Sequence, residues 1–83
     1  MAPGGAAGDG TNPLMAALKA WRLEAARSDG VPAYVVATDA LLEEIVDQRP
    51  TTMPGLRRVK GMGPSRLARY GEELLEITTA ITR

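Results

Sequence analysis

The sequence predicts an all-α fold: a compact bundle of about five short helices over residues 12–83, behind a disordered leader over residues 1–11. Three observations lead there. Apolar residues recur at steps of three and four in several stretches, which is the repeat of a buried helix face. Asn, Thr, Asp, Gly and Pro punctuate those stretches where helices start and stop. The only β-prone run, "VPAYVVAT" at residues 31–38, has no second strand to pair with, and a lone strand is unstable.

The leader reads "MAPGGAAGDG". It lacks the basic start and leucine-rich centre of a secretory signal, and its glycine and alanine content suits a flexible linker. Asn12-Pro13 then supplies an N-cap followed by proline at the first helical position. Leu14, Leu18, Trp21 and Ala25 make one apolar face, and Asp29-Gly30 ends the helix with a residue suited to a left-handed C-terminal turn. Pro32 pins the following segment. It is expected to be irregular or a single turn that plugs its valines into the core. Thr38-Asp39 caps a helix with Leu41, Leu42, Ile45 and Val46 on its inner face, ended by Pro50. Thr51-Thr52 caps a short helix reaching about Arg58, weakened by Gly55. Gly61-Met62-Gly63 breaks the chain, and Pro64 opens a helix with Leu67 and Tyr70 facing inward. Gly71 is expected to interrupt it, leaving a last helix from Glu72 to about Thr82 with Leu74, Leu75, Ile77 and Ile81 apolar.

The residue inventory argues against catalysis. The chain of 83 residues has no cysteine and no histidine, which removes disulfides, thiolate metal sites, the commonest zinc ligand and the commonest general base. Glu43/Glu44 and Glu72/Glu73 are adjacent pairs, and adjacent helix residues point apart rather than forming an acid–base couple. Ser28 and Ser65 have no histidine to activate them. "GMG" lacks the preceding strand and third glycine of a dinucleotide fingerprint, and the lysine and hydroxyl of a P-loop. The expectation is a non-catalytic domain with no cofactor and no metal. No run reaches the roughly 18 apolar residues of a membrane span, and a cytoplasmic protein, monomeric as an isolated domain, fits these features.

Ten basic and ten acidic residues balance to zero, but unevenly along the chain. Between Asp47 and Glu72 there is no acid, while Arg49, Arg57, Arg58, Lys60, Arg66 and Arg69 give a local charge of +6. Such a segment can attract phosphate even when the whole is neutral. Within it, Lys60-Gly61-Met62-Gly63 before the helix at Pro64 has two readings. One is a tight turn with a left-handed glycine; the other is a phosphate-binding helix start. Trp21 and Tyr70 fall at core positions. Tyr34, beside Pro32, is either a stacking platform for an unpaired base or a ring lying over the core edge with its hydroxyl in water.

The runs "LKAWRLEAA", "GVPAYVVATDALLEEI", "RP" and "LRRVKGMGPSRLARYGEELLEI" resemble, in order and spacing, the helicase-and-RNase-D C-terminal (HRDC) domain over residues 12–83. The pieces that carry the resemblance are Leu18, Trp21-Arg22, Ala25, Val31-Pro32, Tyr34-Val35, Asp39, Leu42, Pro50, Leu56, Gly61-Met62-Gly63 and Tyr70-Gly71. The resemblance implies a bundle of about five helices, an accessory module of RecQ-type helicases, some UvrD-like helicases and RNase D. Auxiliary binding to single-stranded or branched nucleic acid is the implied activity. It also implies a contact surface at the tyrosine of the Pro-x-Tyr segment, here Tyr34, and at basic residues within 57–69: Arg57, Lys60, Arg66 and Arg69. Pro54-Gly55 departs from the helix formers usual at that position, and the neutral balance departs from the basic character of DNA-binding members. The expected partners are single-stranded or branched DNA and the helicase core of the same chain. The alternative is a regulatory docking module for another protein or domain, through the acidic helix around Glu43 and Glu44.

Overall fold

The computed structural model describes residues 12–82, so the leader over residues 1–11 lies outside the described residues. Among the described residues five α-helices follow one another: α1 (Pro13–Asp29), α2 (Ala33–Val36), α3 (Asp39–Gln48), α4 (Met53–Arg57) and α5 (Pro64–Thr82). Among the described residues there is no strand. The long helices α1 and α5 pack on each other; α2 and α3 pack on α1, and α4 on α5.

The helix starts are built as the caps require. The Asn12 side chain accepts from the Met15 amide at 3.0 Å, Thr38 from Leu41 at 3.1 Å and Thr52 from Gly55 at 3.2 Å. Each satisfies one of the amides that a first turn leaves without a helical partner. Gly30 ends α1 at φ 69°, and the Val31 amide reaches back to the Ala26 carbonyl at 3.0 Å, a Schellman closure. At the end of α3, Arg49 adopts the left-handed conformation at φ 47°, ahead of Pro50, which cannot continue a helix.

The core is one cluster. Leu14 and Leu18 of α1, Val36 of α2, Leu41, Leu42 and Ile45 of α3, Leu56 of α4 and Leu74 of α5 are all buried in it. Thr78 is also buried, and its hydroxyl donates to the Leu74 carbonyl one turn back at 2.7 Å, so its polar atom is not stranded.

Three expectations need correcting. Gly71 does not interrupt a helix: α5 runs unbroken from Pro64 to Thr82. Gly71 is instead a packing residue, because a Cβ there would lie 3.2 Å from the Met53 sulfur and 3.4 Å from Leu67 Cδ1. The count of five is restored by "AYVV", which is a true helical turn. Second, its valines divide: Val36 is buried, whereas Val35 is exposed, since successive residues on a helical turn point in different directions and this short turn has the core on one side only. Third, Trp21 is only partly buried at the edge of the core, because its indole N–H has a polar partner at the surface.

Candidate nucleic-acid interface

The α2 turn is the centre of the candidate site. Pro32 sets its entry at φ −62°, and burial of Val36 anchors its exit. Four residues cannot close enough internal hydrogen bonds to hold a helix alone, so the carbonyls at and just after the turn, which its few internal bonds leave unserved, take outside donors. Two arginines from other helices supply them. Arg66 of α5 donates from Nε to the Val36 carbonyl at 3.0 Å, with the Tyr34 and Val35 carbonyls at 3.4 Å from Nη2. Arg22 of α1 donates to the Ala37 carbonyl at 3.0 Å and to Asp39 Oδ1 at 2.8 Å. That guanidinium holds the Asp39 carboxyl below the usual carboxylate range. Arg66 also reaches the Gly61 carbonyl at 3.3 Å, tying the α4–α5 turn to α2.

On this clamped turn Tyr34 is 67% exposed. A rigid mount with a free ring face is what stacking against an unpaired base requires. Beside it runs a groove of about 240 Å³ lined by Val31, Val35, Ser65, Arg66, Arg69, Tyr70 and Asp29. A second groove, of about 540 Å³, is lined by Met53, Arg57, Met62, Pro64, Leu67, Ala68, Arg69, Glu72 and Glu73. Arg69 borders both, so Arg66, Arg69 and Arg57 lie along adjoining grooves, while Tyr34 precedes the groove-lining Val35 and lines neither groove itself. Lys60 is exposed in the turn before Gly61. The grooves are not purely basic: Asp29, Glu72 and Glu73 lie along them.

Arg69 is itself held. Its Nε donates to Asp29 Oδ2 at 3.1 Å, and its guanidinium carbon sits 5.8 Å from the centre of the Tyr70 ring. The Tyr70 hydroxyl donates to the same Asp29 oxygen. The Arg69 guanidinium, then the Tyr70 hydroxyl, hold the Asp29 carboxyl below the usual range. The carboxylate in turn pushes the Tyr70 phenol up, with burial adding to the effect. Tyr70 meets Trp21 edge to face, 5.4 Å between ring centres at 82°, and the Trp21 indole donates to Glu73 Oε1 at 2.7 Å.

Tyr34 and Arg57, Lys60, Arg66 and Arg69 are thus placed as follows. Arg66 lies directly under the Tyr34 turn, with its charge turned toward carbonyls. Arg69 and Arg57 flank the grooves. Lys60 stands one residue from the Gly61 carbonyl that Arg66 holds. For the "GMG" turn, Gly61 needs its left-handed φ of 94° and lies against Leu41, while a Cβ on Gly63 would meet nothing within 4 Å. Asp29 is the site residue that sequence reading took only for a helix stop. Its partners are 40 and 41 residues away, and the one hint was that a tyrosine at a core position needs a partner for its hydroxyl.

Among the described residues no group of carboxylates, histidines or cysteines could hold a metal. No helix there is long and apolar enough to cross a membrane.

Comparison with known proteins agrees with this architecture. The HRDC domain family model matches residues 12–78. The ATP-dependent DNA helicase UvrD2 of Mycobacterium tuberculosis is 38% identical over 76 residues, 92% of this chain but 11% of that protein. The ATP-dependent DNA helicase RecQ of Bacillus subtilis is 34% identical over 70 residues, 84% of this chain and 12% of that protein. The chain therefore spans about a tenth of the length of the curated relatives it matches. Among solved structures, the third HRDC domain of RecQ from D. radiodurans superimposes with a TM-score of 0.81 at 35% identity, covering 83% of this chain and 91% of that one. With family model, sequence relatives and backbone in agreement, the chain belongs to the HRDC domain family.

Proposed function

We propose that this HRDC domain binds single-stranded or branched DNA and serves as an accessory, non-catalytic module of an ATP-dependent DNA helicase of the RecQ type. UvrD2 is an alternative parent with the same named activity. The observation that carries the reading is Tyr34: a largely exposed ring on a turn held by Arg66, whose next residue, Val35, lines a groove shared with Arg66 and Arg69. Stacking of one base on the ring contributes about 1–3 kcal/mol. Phosphates bound by the arginines and Lys60 add a salt-sensitive term. Affinity from so few contacts is weak in isolation and gains its effect by tethering beside the helicase core, where local concentration is high.

The test is a titration of the domain into a labelled oligothymidylate at two salt concentrations, with wild type and Tyr34→Ala. Binding that weakens with salt and with the substitution is expected. No binding at low salt overturns the DNA reading.

The second reading, docking onto a protein or another domain, rests on α3. This helix carries Asp39, Glu43, Glu44 and Asp47 and no basic residue. A basic partner surface suits it, and loss of partner binding on Glu43→Lys with DNA binding unchanged would favour that role.

A further inference from the structure

We infer that Asp29 tempers the interface by holding back its central arginine, so that removing the Asp29 charge strengthens binding of single-stranded DNA. The inference rests on the proposed DNA-binding function and adds a residue that limits it.

Among the described residues Arg69 is the one cation bordering both grooves, and its side chain is 64% exposed, so a phosphate can reach it. Its Nε is already given to Asp29 Oδ2. Asp29 cannot readily swing aside when a phosphate arrives. Its side chain is only 20% exposed, and the Tyr70 hydroxyl holds the same oxygen from a buried position. It follows Ser28 at the last turn of α1, whose exit is locked by the Gly30 closure. A strand laid along the grooves therefore meets a fixed negative charge next to its central arginine. The phosphate must either share the guanidinium with a carboxylate or lie near an uncompensated like charge. The hydrogen bond from Tyr70 gives Asp29 a structural use as well, so the limit on binding comes with a gain in stability.

The test uses four proteins: wild type, Asp29→Asn, Arg69→Gln and the double variant. Asp29→Asn removes the charge and keeps a side-chain oxygen that can accept from the Tyr70 hydroxyl. Binding to a labelled oligothymidylate is measured across a salt series, with thermal unfolding alongside. Asp29→Asn is expected to tighten binding about two- to fivefold at low salt, the range an exposed ion pair controls. The salt slope should steepen by up to about 0.7, one further phosphate neutralised. The gain should vanish in the double variant, because it acts through Arg69. If Asp29→Asn does not fold, Asp29→Ser carries the same comparison. Wild type that binds while the charge-neutral variant binds equally or more weakly overturns the inference and leaves the DNA reading standing. A gain that survives in the Arg69→Gln background also overturns it. Failure of every form to bind overturns both.

Discussion

Arg66 Nε donates to the Val36 carbonyl at 3.0 Å across 30 residues of sequence, and this hydrogen bond joins the 19-residue helix α5 to the 4-residue turn α2. An arginine read from sequence as a phosphate ligand is, in the fold, first a clamp on the turn that presents Tyr34. Arg66→Lys separates the two roles. It keeps the charge but loses the planar fork that serves several carbonyls at once. Single-strand affinity should fall severalfold with the salt slope little changed, whereas a plain phosphate contact, which lysine keeps, would hold affinity near the wild-type value. The unfolding midpoint should drop as well. A lysine variant with unchanged affinity and midpoint would remove the clamp.

Tyr34 is exposed and lies outside the core cluster. Tyr34→Ala should leave stability within about 0.5 kcal/mol and lower affinity by about 1–3 kcal/mol. Tyr34→Trp should bind at least as well as wild type. Isothermal titration with a thermal melt of each variant reads both quantities, and a large fall in melting temperature for the alanine variant would contradict a purely presented ring.

Arg57 and Lys60 are both exposed, Arg57 at the end of α4 and Lys60 in the turn that follows. Neutralisation of either, as Arg57→Gln or Lys60→Gln, should cost little stability. Removing one phosphate ligand should flatten the salt slope by about 0.7. An unchanged slope for one of them would place that residue outside the path of the strand.

Two pH limits follow from the Asp29–Tyr70–Arg69 cluster. Asp29 has a folded pKa below its ordinary value of 3.8. Its contribution is present above that value and is lost as pH falls through the lower folded one. Tyr70 has a folded pKa above its ordinary 10.0. Its contribution is present below 10.0 and is lost as pH rises toward the higher folded value. The unfolding midpoint should therefore fall in the acid limb less steeply for Asp29→Asn than for wild type. Tyr70→Phe should flatten the alkaline limb. Midpoints measured from about pH 2 to about pH 11, spanning both groups' titrations, check the pair, and parallel curves for variant and wild type would contradict the linkage.

Gly71 weighs helix propensity against close packing. Alanine is favoured over glycine inside a helix by about 1 kcal/mol, while a Cβ would press on the end of Met53, 3.2 Å away at the sulfur. Met53 is exposed and its flexible thioether can yield toward solvent. Gly71→Ala should thus raise the midpoint by a few degrees, at about 4–8 °C per kcal/mol for a domain of this size. Gly71→Val, with a bulkier side chain facing Leu67 as well, should lower it. A lower midpoint for the alanine variant would show that α4 cannot adjust.

Helices, caps and core are legible in the sequence because their signals are local. Asn12, Thr38 and Thr52 cap amides only three residues away, and Leu41, Leu42 and Ile45 repeat at the period of the helix they bury. The resemblance carried by "VPAYVV" and "GMGPSRLARYG" placed the chain in its family for the same reason, since motif spacing is written along the chain. The rest depends on residues that meet only when the chain has folded. Gly71 reads as a break until Met53 is seen against it. Arg66 reads as a free charge until four carbonyls surround it. Asp29 reads as a helix stop until Tyr70 and Arg69, 41 and 40 residues on, close over its carboxylate. Charge order along the chain says how many cations are near one another in sequence. Whether each faces a phosphate, a carbonyl or a carboxylate depends on which distant atoms the fold brings within about 3 Å.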